Sequence, residues 1–207
     1  GADAIELNIT TFTTEHQKTP EEIEAPLFNI VSEVKSIINI PVTVKISSSY
    51  TSIPRIVKEL EKKGVAGVVL FNRFYKFDID PENEEFLSEI QFTNPGDMSE
   101  ALRWTGIMAN RYNIDICTSS GINSAEDVAK AIYAGADACQ IVSAIYRESP
   151  SIIKNIKENL SEWMDKKNIS SLKSPEFKGK MSMKRSNTDA YGRFQYIKAF
   201  DLSVLDK

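Results

Sequence analysis

The sequence predicts an α/β fold on a parallel sheet, the last five βα units of a TIM (β/α)8 barrel. Three observations point there. Five apolar, strand-like runs alternate with amphipathic stretches along the 207 residues, the pattern of a parallel sheet whose crossovers are helices. Polar residues collect at the C-terminal ends of those runs: Asn8, Thr10 and Thr11; Lys45 and Ser47; Asn72 and Arg73; Ser119, Ser120 and Gly121; Ser143. In a barrel these ends form one rim, where active sites are built. Finally, a Gly-Ala-Asp-Ala connector stands at 1–4, before the first run, and again at 135–138, before the fifth. The second copy ends a helix, so the first reads as a start in mid-unit. Alternation alone also fits an open, doubly wound sheet; the rim and the repeated connector favour the barrel.

The elements follow in order. Residues 3–9 form the first strand. A helix over 20–39 places Ile23, Leu27, Ile30, Val31, Val34 and Ile38 on one face. Residues 41–47 form the second strand. The second helix covers 52–63, with Pro54 in its first turn, where the missing N–H costs nothing, and Gly64 at its end. Residues 67–73 form the third strand. A polar excursion over 74–95 interrupts the rhythm and reads as an inserted hairpin or lid. A helix over 97–113 places Trp104, Met108 and Tyr112 at core spacing. The fourth strand runs from Ile114 into Ser119-Ser120-Gly121. Ser124 caps the next helix, whose third residue is Asp127. The fifth strand covers 138–145, apolar apart from Gln140 and Ser143, as a strand covered on both faces should be. A long helix over 149–167 follows. Residues 168–207 form a tail with a final helix over 187–200. The whole reads as a single domain, 1–207.

Composition narrows the function. Apolar residues make up 42%, enough for one sizeable core, and 25 basic against 29 acidic residues give a net charge of −4. Nothing in that balance suggests nucleic acid or an anionic membrane as partner. The apolar runs are of strand length, too short to span a bilayer. Cys117 and Cys139 lie in separate strands without metal-ligand spacing, and His16 has no Cys or His neighbour. Two free thiols fit a reducing, cytoplasmic setting. The basic cluster Lys178, Lys180, Lys184 and Arg185 reads as a solvated tail.

Two features carry chemistry. The small-residue turn at Ser120 and Gly121 exposes backbone N–H groups just before a helix, a natural place to hold a phosphate; in ordinary loops the same residues simply make a tight turn. Strand alternation places Glu6 and Asn8 on one face and Thr43 and Lys45 on one face of the next strand. A lysine in an apolar strand needs a partner, and Glu6 is the expected one, unless Lys45 snorkels to solvent.

At these residues the chain resembles the C-terminal part of the dihydroorotate dehydrogenases, FMN-containing barrels of pyrimidine biosynthesis, and their dihydroorotate dehydrogenase-like relatives. The resemblance runs from residue 1 to about residue 180. Ala4-Ile5-Glu6-Leu7-Asn8 looks like the strand whose asparagine touches both flavin and orotate. Val44-Lys45 resembles the strand carrying a flavin-binding lysine. Phe71-Asn72 is similar to the strand end where backbone meets flavin and asparagine meets substrate. Ser120-Gly121 and Val142-Ser143 fall where the family grips the FMN phosphate. Trp163 to Lys167 and Phe177 to Lys180 look like the last helix and tail.

The resemblance implies an FMN-dependent oxidoreductase that passes hydride from a dihydropyrimidine to flavin. The cofactor would lie on Asn8, Lys45, Phe71, Ser120, Gly121, Val142 and Ser143, and the substrate on Asn8, Asn72 and Arg73. Thr11 falls where the family has a cysteine or serine base, with Phe12 and Thr13 in place of the following Pro-Asn. A threonine hydroxyl could relay the proton through water, but it ionises far above neutrality and its extra methyl stiffens the side chain. Arg73, where the family has a small hydroxyl residue, suits a carboxylate held in bidentate fashion. These replacements keep a second reading open: a non-catalytic or differently specific relative that retains only a phosphate or flavin site. Expected partners are a small-molecule substrate, the N-terminal barrel segment, and a second copy of the chain in a homodimer.

Overall fold

A computed structural model describes residues 1–11, 13–73, 77–87 and 92–182. Five parallel strands form one sheet in the order β1 (Ile5–Asn8), β2 (Val42–Ser47), β3 (Gly67–Asn72), β6 (Asp115–Ser119) and β7 (Ala138–Gln140). Spatial order follows chain order, as it does around a barrel. The excursion does form a hairpin, β4 (Asp78–Asp80) against β5 (Glu85–Leu87), with Ile79 opposite Phe86. Residues 74–76 and 88–91, at its two ends, lie outside the described residues, as does the helix expected over 187–200.

Register sorts the side chains onto two faces. Glu6 pairs with Thr43, Asn8 with Lys45, Lys45 with Val69, Val69 with Cys117, and Ser119 with Gln140. In-register neighbours of a parallel sheet share a face, so these residues line the concave interior. The alternate residues Val44, Ile46, Val68, Leu70 and Ile116 face outward into the main core. There they meet Leu27 and Val31 of α1 (Pro20–Ile37) and Ile53, Ile56, Val57 and Leu60 of α2 (Ile53–Lys62). Met108 of α3 (Ser99–Met108) completes the layer. Burying each such side chain contributes roughly 1.5–3 kcal/mol. Trp104 and Tyr112 pack against the same core, as their spacing predicts.

Local chemistry fixes the helix ends. Thr19 accepts from the Glu22 N–H while Glu22 accepts from the Thr19 N–H, a capping box before Pro20. Ser124 and Asp127 repeat the device at α4 (Ala125–Ala134), and Gly135 closes that helix in the left-handed region. The expected helix over 97–113 is shorter: a 3-10 turn, Pro95–Met98, leads into α3, which ends at Met108.

The fifth strand departs furthest from expectation. It ends at Gln140, and Ser143 opens a short helix, α5 (Ser143–Glu148), instead of closing the strand. An apolar run of eight residues fits strand or helix equally. Packing decides: Ala144 and Ile145 join Ile152 and Ile156 of α6 (Ile152–Lys166) in a separate apolar cluster. Nor is β7 covered on both faces, for Ala138 is exposed. Downstream, Phe177 is fully buried against Tyr133 and Trp163, and the backbone N–H groups of Gly179 and Met181 donate to Ile132 and Tyr133. Lys178 pairs with Asp137, so this part of the tail docks on the protein. Among the described residues no helix is long and apolar enough to cross a membrane.

Candidate functional site

The interior of the sheet carries a set of polar side chains beside Val69 and Cys117. Lys45 and Glu6 do not pair directly. Gln140 stands between them: its carbonyl oxygen accepts from Lys45 Nζ at 2.9 Å, and its amide nitrogen donates to Glu6 Oε2 at 2.5 Å. An amide carries both an acceptor and a donor, so a single side chain satisfies the cation and the carboxylate. The contact also shows how far the sheet curls, since Gln140 lies on the last strand and Glu6 on the first. Sequence reasoning noted Gln140 only as an exception in an apolar run. The usable signal was its polarity on a face shared with Lys45.

A second polar cluster sits at the rim. Asn72 Nδ2 donates to Asn8 Oδ1 at 2.7 Å and to Thr10 Oγ1 at 2.6 Å. The structure therefore brings Asn8, Asn72 and Thr10 together. Thr11, the expected base, turns elsewhere: its hydroxyl lies 3.1 Å from the Tyr50 hydroxyl. Phe71 is buried at the end of β3, where the ladder passes from Ile46–Leu70 to Ser47–Asn72. Arg73 is already paired, donating to Asp97 Oδ2 at 2.8 Å. Its guanidinium holds a carboxylate of this chain instead of standing open to a ligand.

The two loops expected at a phosphate converge at the other end of the rim. Both touch the connector that follows the hairpin. Ser143 Oγ accepts from the Thr93 N–H at 2.9 Å and from the Thr93 hydroxyl at 3.0 Å. Gly121 packs so closely under the connector that a Cβ would stand 2.5 Å from Met98 N and 2.9 Å from Asn94 O. Ser120 and Gly121 both have positive φ, 76° and 71°; Gly121 adopts this freely and Ser120 does so at some cost. Arg147 clasps the connector from α5, donating to Thr93 O at 2.7 Å and to Asn94 Oδ1 at 3.2 Å. Phe92 stacks on Tyr146 beside it. Val142 is exposed next to Ser143. The sequence carried no local signal for Thr93 or Arg147, because their partners are tens of residues away; Asp97 also accepts from the Asn94 N–H, a local cap that sequence reasoning passed over.

The thiols are chemically quiet. Burial, aided by Glu6, pushes the Cys117 thiol up to about 11, and burial pushes Cys139 up to about 12. Both are free. Among the described residues no group of three or more His, Cys, Asp or Glu side chains could hold a metal ion.

Fold and site together define a (βα)8-barrel protein with its polar groups gathered inside the sheet and along the strand C-terminal rim. Comparison with known proteins gives the family. A profile described as dihydroorotate dehydrogenase matches residues 1–164. A Pyrococcus abyssi protein named dihydroorotate dehydrogenase B (NAD(+)), catalytic subunit, is 28% identical over 180 residues, covering 83% of this chain and 59% of that protein. A Shouchella clausii protein of the same name is 30% identical over 176 residues, covering 82% and 57%. The crystal structure of a ligand-free type DHODH from Eimeria tenella superposes with a TM-score of 0.62 at 17% identity, over 83% of this chain and 54% of that one. The chain belongs to the dihydroorotate dehydrogenase family. It spans less than two thirds of the length of these relatives.

Proposed function

We propose that this chain is the cofactor-holding part of an FMN-dependent oxidoreductase of the dihydroorotate dehydrogenase type, which oxidises dihydroorotate or a related ring. The observation that carries the reading is the Lys45–Gln140–Glu6 bridge across the sheet interior, next to the Asn8–Asn72–Thr10 cluster. An apolar interior would suffice for a scaffold. Lys45, Gln140 and Asn72 are half-buried while Glu6, Asn8 and Thr10 stand exposed, so these polar groups are open to a ligand on the concave side.

The donor set fits a flavin mononucleotide. Its ring presents carbonyl oxygens and ring nitrogens that accept, which an ammonium and side-chain amides satisfy. Lys45 would hold the ring edge, with Gln140 keeping the ammonium oriented and Glu6 keeping Gln140 oriented. The backbone at Phe71, whose side chain is buried in the main core, would meet the ring. Ser120, Gly121, Val142 and Ser143 would receive the phosphate at the end where their loops meet the connector. Once bound, the flavin supplies the acceptor for hydride from the substrate. Asn72, whose two amide N–H groups go to Asn8 and Thr10, would accept from a ring N–H of the substrate through its amide oxygen, and Asn8 would fix the orientation of Asn72. In this arrangement Thr10, not Thr11, presents its hydroxyl beside the substrate amides.

Thr11 resting on Tyr50, and Arg73 engaged with Asp97, favour the second reading of a differently specific or non-catalytic relative. Anaerobic mixing of the FMN-loaded protein with dihydroorotate separates the two. Bleaching of the flavin band supports the oxidoreductase. A stable flavin band with dihydroorotate, dihydrouracil and dihydrothymine alike contradicts it.

A further inference from the structure

Arg73 follows Asn72 directly and leaves the end of β3 beside the Asn8–Asn72–Thr10 cluster. Its Nη1 donates to Asp97 Oδ2 at 2.8 Å. The two side chains are 31% and 32% exposed, so the pair borders open space at the rim and is not part of the core. Asp97 is held from behind. The same Oδ2 accepts from the Asn94 N–H at 2.9 Å, at the start of the turn Pro95–Met98, and Arg147 Nη2 donates to the Asn94 side chain at 3.2 Å. Gly121 lies against this turn, with Asp97 C 3.1 Å from where a Cβ would stand. A carboxylate anchored in this way does not swing aside easily.

Around the space faced by the two asparagines the charges cancel in pairs: Arg73 against Asp97, and Lys45 against Glu6 through Gln140. Arg147 donates to Thr93 O and Asn94 Oδ1 on the connector, at the end assigned to the phosphate. A ligand carboxylate brought to Arg73 would have to displace Asp97 and leave that charge uncompensated beside its own. What the cluster offers is neutral. The Asn72 amide oxygen accepts, and the Asn8 amide nitrogen and the Thr10 hydroxyl donate, which matches the N–H and C=O groups of a cyclic ureide.

We propose that Asp97 is a specificity-determining residue that keeps ring-bound carboxylates out, so that the substrate is a neutral dihydropyrimidine ring, one without a carboxylate. Such selectivity rests on the oxidoreductase reading above and chooses within it. Discrimination works by repulsion: the neutral ring meets the amides, whereas the anionic ring meets a carboxylate already seated on the arginine.

The test reads equilibrium binding and flavin reduction on FMN-loaded protein. Calorimetry on the oxidised protein gives the affinities for uracil and orotate, the two oxidised rings, without turnover. The parent binds uracil at least about tenfold more tightly than orotate, and its flavin band bleaches faster with dihydrouracil than with dihydroorotate. D97N removes the charge, keeps an acceptor for the Asn94 N–H and leaves Arg73 to the ligand. The ratio of orotate to uracil affinity then rises by about tenfold to a hundredfold, the worth of a charge-assisted hydrogen bond. Because this is a gain of binding, a poorly folded variant cannot imitate it. In R73M/D97N most of that gain disappears; a gain kept in full would trace to a loosened connector and overturn the assignment. A parent that binds orotate as tightly as uracil, or a ratio unmoved in D97N, overturns the assignment and leaves the oxidoreductase reading standing. A parent whose flavin is bleached by neither ring contradicts the oxidoreductase reading and the assignment with it.

Discussion

Gly121 is a residue whose replacement the structure tolerates poorly. Its φ of 71° disfavours any side chain, and an added Cβ would meet the backbone of the connector, which cannot swing aside as a flexible side chain would. Gly121→Ala is expected to lower stability by roughly 1–3 kcal/mol, read as a fall in melting temperature. Ser120→Gly should act the other way and raise it slightly, since Ser120 already holds a positive φ of 76°. The thiols give a pH-dependent prediction. With Cys117 at about 11, the thiolate at pH 8 amounts to about one part in a thousand, so a thiol reagent should label native protein far more slowly than unfolded protein. The sign for stability follows from linkage. The folded value lies above the unfolded one, so the contribution is fully present below the ordinary thiol range and is lost as pH climbs towards 11.

Among the elements, α4 and the connector are held by short-range devices that substitution can isolate. Ser124→Ala removes one half of a capping box whose other half, Asp127, also accepts from the Asn123 and Ser124 N–H groups. The expected loss is about 1 kcal/mol by urea unfolding. Arg147→Ala releases Thr93 O and Asn94 Oδ1 and strips the cation from Phe92. Faster proteolytic cleavage within residues 92–98 of this variant would show that Arg147 secures the connector, and cleavage at the parent's rate would contradict it. The same elements show what the sequence could and could not reveal. The α4 cap was legible because both partners lie within four residues. On α1 the helical period picked out Leu27 and Val31, which are buried, but also Ile30, which is exposed, because the period does not say how wide the covered stripe is. The end of β7 was not, because an apolar run does not say whether it packs on a sheet neighbour or on α6. The Gln140 bridge was not either, because it joins residues 134 apart in sequence.

On the scale of the whole molecule, two layers divide the work. The outer layer, between sheet and helices, holds the fold. Leu60→Ala, at a fully buried position between α2 and the sheet, should cost about 2–5 kcal/mol with little effect on ligand binding at the inner face. The inner layer is polar and leaves Lys45, Asn8 and Asn72 directed at one space. Sequence reading located every strand contributing to that layer and its two asparagines. It paired Lys45 with the wrong residue because charge complementarity ignores the amide that intervenes. It did not anticipate that the Thr11 hydroxyl meets Tyr50, because a position matched to a family motif does not fix which way the side chain turns. The central claim is that the inner layer holds a flavin through Lys45, and the most direct measurement is an absorption titration of the purified protein with FMN, parent beside Lys45→Met. The account predicts a flavin band that survives dialysis in the parent and an affinity at least about tenfold weaker in the variant, the worth of one charge-assisted hydrogen bond. A parent that takes up no FMN, or a variant that binds it as tightly as the parent, would contradict it.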